Sequence, residues 1–126
     1  MVSIKVKDKV YTLRYDMSVA EWLEDKYGDV REAFGKMRGT KESKEVITQI
    51  FCCMATAAND YLGVPEVVSN VQLFDKHTSP GRAAVIMRAI YAAFNDGNRM
   101  QVTEDEDAEV RDDYLKELRE EERKKN

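Results

Sequence analysis

The feature that most constrains the fold is an apolar pattern after Thr40 that repeats every three or four residues. Its members are Val46, Ile47, Ile50, Phe51, Met54, Ala58, Tyr61 and Leu62. This spacing places the apolar side chains on one face of an α-helix, and other parts of the chain must cover that face. Gly63 and Pro65 end the pattern. The sequence therefore predicts a central helix over about 41–62 that organises the core.

A second apolar face follows the pair Ser79-Pro80, which favours the start of a helix. Its members are Ala83, Ile86, Met87, Ile90, Tyr91 and Phe94, and it stops at Asn95-Asp96-Gly97. Neither face is stable in contact with water, so we expect the two helices to pack together. The predicted contacts join Ile47, Ile50, Phe51 and Met54 to Ile86, Ile90 and Phe94.

Shorter elements surround these two helices. Residues 3–15 alternate apolar and polar side chains on either side of Lys7-Asp8-Lys9, which predicts a β-hairpin. Ser18 and Glu21 have the spacing of a capping box, so we expect a short helix over 18–27, and a further helical piece over 29–39. Apolar residues at 67, 68, 71 and 74 predict another short helix between the two long ones.

The predicted fold class is mainly α (α+β), with an N-terminal β-hairpin followed by a small helical bundle and a charged C-terminal helix. A chain of 126 residues has the usual size of one domain. We place that domain at residues 1–103 and a charged, helical or partly disordered tail at 104–126. Thr103 and Glu106 form a second possible capping box, so the tail is expected to begin as a helix.

Charge limits the classes of partner. Residues 104–126 contain 11 acids and 6 bases, and because the whole chain has a net charge of −4, residues 1–103 have a net charge of +1. Neither part offers the basic surface that binding to a nucleic-acid backbone requires. No stretch approaches the roughly 20 consecutive apolar residues of a membrane span, and the first residues lack the apolar core of a signal peptide. We therefore expect a cytoplasmic protein without nucleic acid or membrane as a partner.

The residues that could carry chemistry do not form a recognisable site. His77 is the sole histidine and has no motif around it, so we expect a polar loop residue. Cys52 and Cys53 are adjacent on the central helix, where we expect reduced thiols and at least one packed in the core. A calcium-binding loop that began at Asp105 would need glycine at 110 and glutamate at 116, where the chain has valine and lysine. No catalytic, cofactor or metal site is predicted, and we expect the protein not to be an enzyme.

Two apolar sets are predicted to bind partners. The first is Val67, Val68, Val71 and Phe74, in a connecting segment that carries more apolar residues than a connection needs, and self-association through it is also possible. The second is Val110, Tyr114 and Leu118, which lie on one face of the predicted tail helix. The alternative for the tail is a partly frayed terminal helix that only completes the fold.

The order of these features resembles the small tail assembly chaperones of long-tailed bacteriophages and prophages. In that family a strand with a Y-x-L-R-Y phrase leads directly into a helix with the phrase M-x-x-x-x-x-L-E-x-x-x-G. The matching residues here are Tyr11, Leu13, Arg14, Tyr15, Met17, Leu23, Glu24 and Gly28. The central helix matches over 45–62, and Thr78-Ser79-Pro80 with its helix matches the segment that follows. The resemblance covers about residues 4–97, whereas 98–126 match only in being charged.

The resemblance implies an α-rich chaperone, without enzymatic activity, that binds the tape measure protein during tail assembly, with tail tube subunits as further candidate partners. The absence of a predicted catalytic set agrees with this expectation. The alternative is a bacterial adaptor or regulatory protein-binding module with the same fold and no phage role.

Overall fold

The computed structural model describes residues 1–39 and 41–99, which form a β-hairpin followed by four α-helices. The elements are β1 (Val2–Val6), β2 (Lys9–Leu13), α1 (Met17–Tyr27), α2 (Val30–Lys36), α3 (Ser43–Tyr61) and α4 (Pro80–Asn98). The predicted fold class, mainly helical α+β with an N-terminal hairpin, is confirmed for these residues. The predicted tail helix lies outside them.

The hairpin presents one apolar face to the helices. β1 and β2 are antiparallel, in a register that pairs Val2 with Leu13 and Val6 with Lys9. The turn between them is formed by Lys7 and Asp8, and Lys7 adopts the left-handed conformation with φ 55°. Ile4, Val6 and Leu13 are buried. The hairpin therefore contributes to the same core as the helices, because side chains alternate between the two faces of a strand.

Short polar side chains fix where the helices begin. The Asp16 carboxylate accepts hydrogen bonds from the backbone N–H groups of Ser18 and Val19, at 3.1 and 3.3 Å. Asp16 therefore caps α1, and the capping box that we predicted at Ser18 and Glu21 is wrong. Asp29 and Ser79 cap α2 and α4 by the same type of bond.

The short helix predicted between the two long helices is also wrong, because the segment that contains residues 67–74 is not helical. Side chains of α3 take the place of the missing helical hydrogen bonds. The Thr56 hydroxyl accepts from the Val68 N–H at 3.0 Å, and the Asn59 amide donates to the Glu66 carbonyl at 3.1 Å. Asn70 adopts φ 55°, which a helix does not permit.

The core is built around α3, which contacts β2, α1, α2 and α4. The residues of the two long helices that were predicted to pack together and are buried in one cluster are Ile47, Ile50, Phe51, Met54, Ile86 and Ile90. Phe94 is only partly buried against this cluster. Its ring lies 4.7 Å from that of Tyr15 and 4.6 Å from that of Phe34, so it joins α4 to α2 and to the end of the hairpin.

We predict that Phe51→Ala and Ile90→Ala each lower the free energy of unfolding by about 2–5 kcal/mol, because each removes a fully buried side chain and leaves a cavity. Val85→Ala on α4 is the control: Val85 is 39% exposed, and we expect a loss of at most about 0.5 kcal/mol. Urea denaturation measures all three variants. Denaturation midpoints for Phe51→Ala and Ile90→Ala close to that of the unchanged chain would contradict the burial of these two side chains in the core.

Two glycines make a second, matched test. A Cβ atom added at Gly97 would lie 2.8 Å from Cβ of Tyr15 and closer still to its carbonyl oxygen, whereas one added at Gly35 meets no atom within 4 Å. We expect Gly97→Ala to destabilise the chain by about 1–3 kcal/mol, through a steric clash. Gly35→Ala should be neutral or stabilise α2 by about 0.5–1 kcal/mol. Equal melting temperatures for the two variants would show that Gly97 does not pack closely against Tyr15.

Candidate protein-binding groove

An apolar groove runs along the side of α3 that does not face the core. We call it the Trp22 groove, and its volume is about 610 Å³. It is lined by Ser18 and Trp22 of α1, by Thr48, Gln49, Cys52, Cys53, Thr56, Ala57 and Asp60 of α3, and by Val67, Val68, Ser69 and Asn70. Three parts of the chain therefore form its walls.

The connecting segment is fixed against α3 by one side chain. The Thr56 hydroxyl donates to the Cys52 carbonyl at 2.8 Å and lies 3.3 Å from the Val68 carbonyl, in addition to accepting from the Val68 N–H. Thr56 thus pairs the Val68 N–H, which would otherwise need a partner, and its hydroxyl proton lies between the Cys52 and Val68 carbonyls, with the shorter bond to Cys52. This places Val68 half-buried beside the groove, while Val67 is 73% exposed.

The α1 wall is formed by Trp22, which is half-buried. Its ring lies edge-on to Tyr27 at 6.0 Å, and the Lys26 ammonium lies 5.1 Å from the ring centroid. The Tyr27 hydroxyl donates to Gln49 of α3 at 2.6 Å, and burial raises the pKa of Tyr27, so the hydroxyl keeps the proton that it donates. These contacts hold the half-buried indole at the edge of the groove.

The two cysteines lie on the floor of the groove as free thiols. Burial, followed by the nearby Asp16 and Cys52, raises the pKa of Cys53 to about 11. Burial also raises the pKa of Cys52, although a backbone hydrogen bond from Val71 opposes this. Both side chains are therefore protonated near neutral pH and act as apolar, polarisable surface rather than as nucleophiles.

The structure separates the residues of the first predicted partner-binding set. Val67 and Val68 line the Trp22 groove, whereas Val71 and Phe74 do not and are partly buried against the core. The second set, Val110, Tyr114 and Leu118, lies outside the described residues. The lining from α1 and α3 was not predicted, although Cys52 and Thr56 are four residues apart, a spacing that puts both on one helix face.

The end of α3 adds an exposed apolar edge. Tyr61 and Leu62 continue the periodic pattern of the central helix, so the sequence indicated that they face the core, but they are 61% and 54% exposed. The Arg14 guanidinium covers the Tyr61 ring at 3.7 Å. Val64 and Val67 extend the exposed apolar surface toward the groove. A run of this kind is typical of surfaces that bind other proteins.

Among the side chains that line the groove, as far as the chain is described, Asp60 alone is charged. Apolar contacts therefore dominate, with hydroxyl and amide groups of Ser18, Thr48, Gln49 and Asn70 at the edges. Within residues 1–39 and 41–99 there is no group of histidine, cysteine and carboxylate side chains that could hold a metal ion. His77 is exposed in a turn, as expected. The arrangement is suited to binding apolar side chains of another molecule.

Comparison with protein-family models, with curated proteins and with solved structures finds no match to this chain. None of the helices in the described part of the chain is both long enough and apolar enough to cross a membrane.

The raised thiol pKa values give a direct test of the groove. In a Cys52→Ser variant, Cys53 should react with a disulfide reagent at pH 7 about a hundredfold more slowly in the folded chain than in urea, because little thiolate is present. Its rate should increase about tenfold per pH unit up to about pH 11 as long as the fold persists. Equal rates in the folded and unfolded chains would mean that Cys53 is not buried.

Proposed function

We propose that this chain is a phage or prophage tail assembly chaperone, without enzymatic activity, that binds an apolar segment of the tape measure protein in the bacterial cytoplasm. In this proposal the Trp22 groove and the exposed Val67 beside it form the binding surface. Tail tube subunits are a second candidate partner for the same surface. The bacterial adaptor without a phage role remains the alternative function.

The observation that carries the proposal is the Trp22 groove itself. It is large enough for several apolar side chains, and its walls come from α1, α3 and the segment that Thr56 holds in place. Its thiols are protonated near neutral pH and therefore unreactive. A chaperone for a long assembling protein must cover apolar surface without modifying it, and a groove of this composition can do so. The sequence resemblance adds support, because its phrases span the end of β2 and α1, and α1 forms one wall of the groove.

Polar groups at the edge of the groove suit reversible binding. Apolar contacts with Trp22 and Val67 would provide affinity by removing surface from water. The Gln49 and Asn70 amides could bond the backbone of a bound segment and fix its position. The Asp60 carboxylate is the charged member of the lining and is exposed, so binding to the apolar part of the groove does not require a buried ion to be paired. These properties agree with a chaperone that leaves the assembled tail.

Two exposed valines provide a matched test of the surface. Val67 lies at the groove and Val10 lies on the hairpin, with 73% and 62% of their surfaces exposed. We expect Val67→Asp to weaken binding to the tape measure protein by roughly tenfold or more, because it places a charge in the apolar contact. Val10→Asp should bind like the unchanged chain. Co-expression followed by co-purification and titration calorimetry measures both.

Equal loss of binding in the two variants, or no loss in either, would show that the Trp22 groove is not the binding surface. If the unchanged chain failed to bind the tape measure protein but bound a protein of the bacterial host through Val67, the adaptor function would replace the chaperone function. Circular dichroism of each variant verifies that the fold is intact before binding is compared.

A further inference from the structure

A second groove lies between α2 and α4 and shares no lining residue with the Trp22 groove. We call it the α2–α4 groove, and its volume is about 530 Å³. The Phe34 ring is stacked on Tyr91 with ring centroids 5.5 Å apart and an interplanar angle of 28°, and it also contacts Phe94. With Val30, these rings form an apolar floor.

Two arginines stand at the rim of this floor. Arg31 and Arg38 both line the groove, and Nε of Arg38 donates to the Tyr91 hydroxyl at 3.0 Å. Neither forms an ion pair with a carboxylate of residues 1–39 or 41–99. Residues 30–38 carry three bases and one acid. An apolar floor with a positive rim is complementary to an acidic segment that presents an apolar stripe.

The C-terminal sequence of the same chain has this chemistry. Residues 104–113 contain seven acids and one base. Val110, Tyr114 and Leu118 recur at four-residue steps, which would place them on one face of a helix. The segment therefore combines a high density of acids with an apolar stripe, which complements the positive rim and the apolar floor of the α2–α4 groove.

The point where α4 ends would place this sequence within reach of the groove. Tyr91 and Phe94 lie in the last turns of α4, which ends at Asn98, and the extended backbone of Arg99 turns the chain away from the helix axis. A helix that began at Thr103 would leave only residues 99–102 as the connection. Connections of about 2–8 residues usually join antiparallel neighbouring helices. Tyr91 precedes Asn98 by seven residues, and Val110 follows Thr103 by seven. In two antiparallel helices, Tyr91 and Val110 would therefore lie at the same height along the axis of α4.

We propose that residues 104–118 dock in the α2–α4 groove of their own molecule as a helix antiparallel to α4. Val110 and Tyr114 pack against the aromatic floor, and the acids of residues 104–113 face Arg31 and Arg38. The proposal does not depend on the tail assembly function, because it concerns a different surface. It gives the acidic C-terminal sequence a binding site within the chain.

Hydrogen–deuterium exchange of the full chain, followed by mass spectrometry, tests the docking. We expect the amides of residues 106–118 to exchange at least roughly tenfold more slowly than unstructured peptide. The double variant Arg31→Glu with Arg38→Glu should remove most of this protection, because it reverses the charge of the rim. Lys44→Glu with Lys41→Glu, which changes the net charge equally at the start of α3, should leave the protection unchanged.

A variant of the tail tests the other side of the contact. Tyr114→Ser should speed exchange in residues 106–118 and in α2, whereas Lys116→Gln, which changes neither the apolar stripe nor an acid of residues 104–113, should have a much smaller effect. Exchange of residues 106–118 at unstructured rates in the unchanged chain would overturn the proposal. So would protection that survives the rim variant. Protection that disappears on dilution, together with a dimer in sedimentation, would also overturn it, because the occupant would then be a second copy.

Discussion

The rest of the structure depends on the burial of one face of α3. Phe51, Ile50 and Met54 are fully buried on this face, and β2, α1, α2 and α4 all pack around the helix. The backbone contributes as well, because the N–H of Arg14 donates to the Met54 carbonyl at 3.1 Å and ties the end of the hairpin to the middle of α3. The hairpin, α1 and α2 are too short to be stable alone in water, so each needs α3 for its own folding.

The opposite side of α3 forms the Trp22 groove, which is the binding surface in the proposed function. Where α3 faces the core it carries the large side chains of Ile47, Ile50, Phe51 and Met54. Beside the Trp22 groove its side chains are small or weakly polar, as at Cys52, Thr56 and Ala57. Small side chains leave a depression between α1 and the segment that Thr56 holds in place. One helix thus organises the fold and forms the groove floor, so a change on either side is expected to affect the other through α3.

The sequence was sufficient to predict the elements that bury apolar faces, because periodicity reports directly on which side chains must leave water. It failed where specific hydrogen bonds decide the conformation. The apolar residues around Val68 matched a helical spacing, but Thr56, twelve residues earlier, supplied the hydrogen bonds that hold a non-helical segment. On α1, Val19 and Leu23 are buried, whereas Trp22 is half-buried and lines the groove, a position that depends on its contacts with Tyr27 and Lys26 and on the neighbouring α3. The hydrogen bonds of Thr56 and the contacts with α3 join residues that are far apart in the sequence, and no local sequence pattern predicts them.

The central claim is that a partner protein binds in the groove beside Trp22. Trp22 is the sole tryptophan of the chain, so its indole N–H gives one resolved signal in the nuclear magnetic resonance spectrum of nitrogen-15-labelled protein. Titration of the labelled chain with unlabelled tape measure protein should shift or broaden this signal together with the amides of Thr56 and Val68, while the Val10 amide on the hairpin remains in place. A complex that forms without any change at Trp22, Thr56 and Val68 would contradict the account.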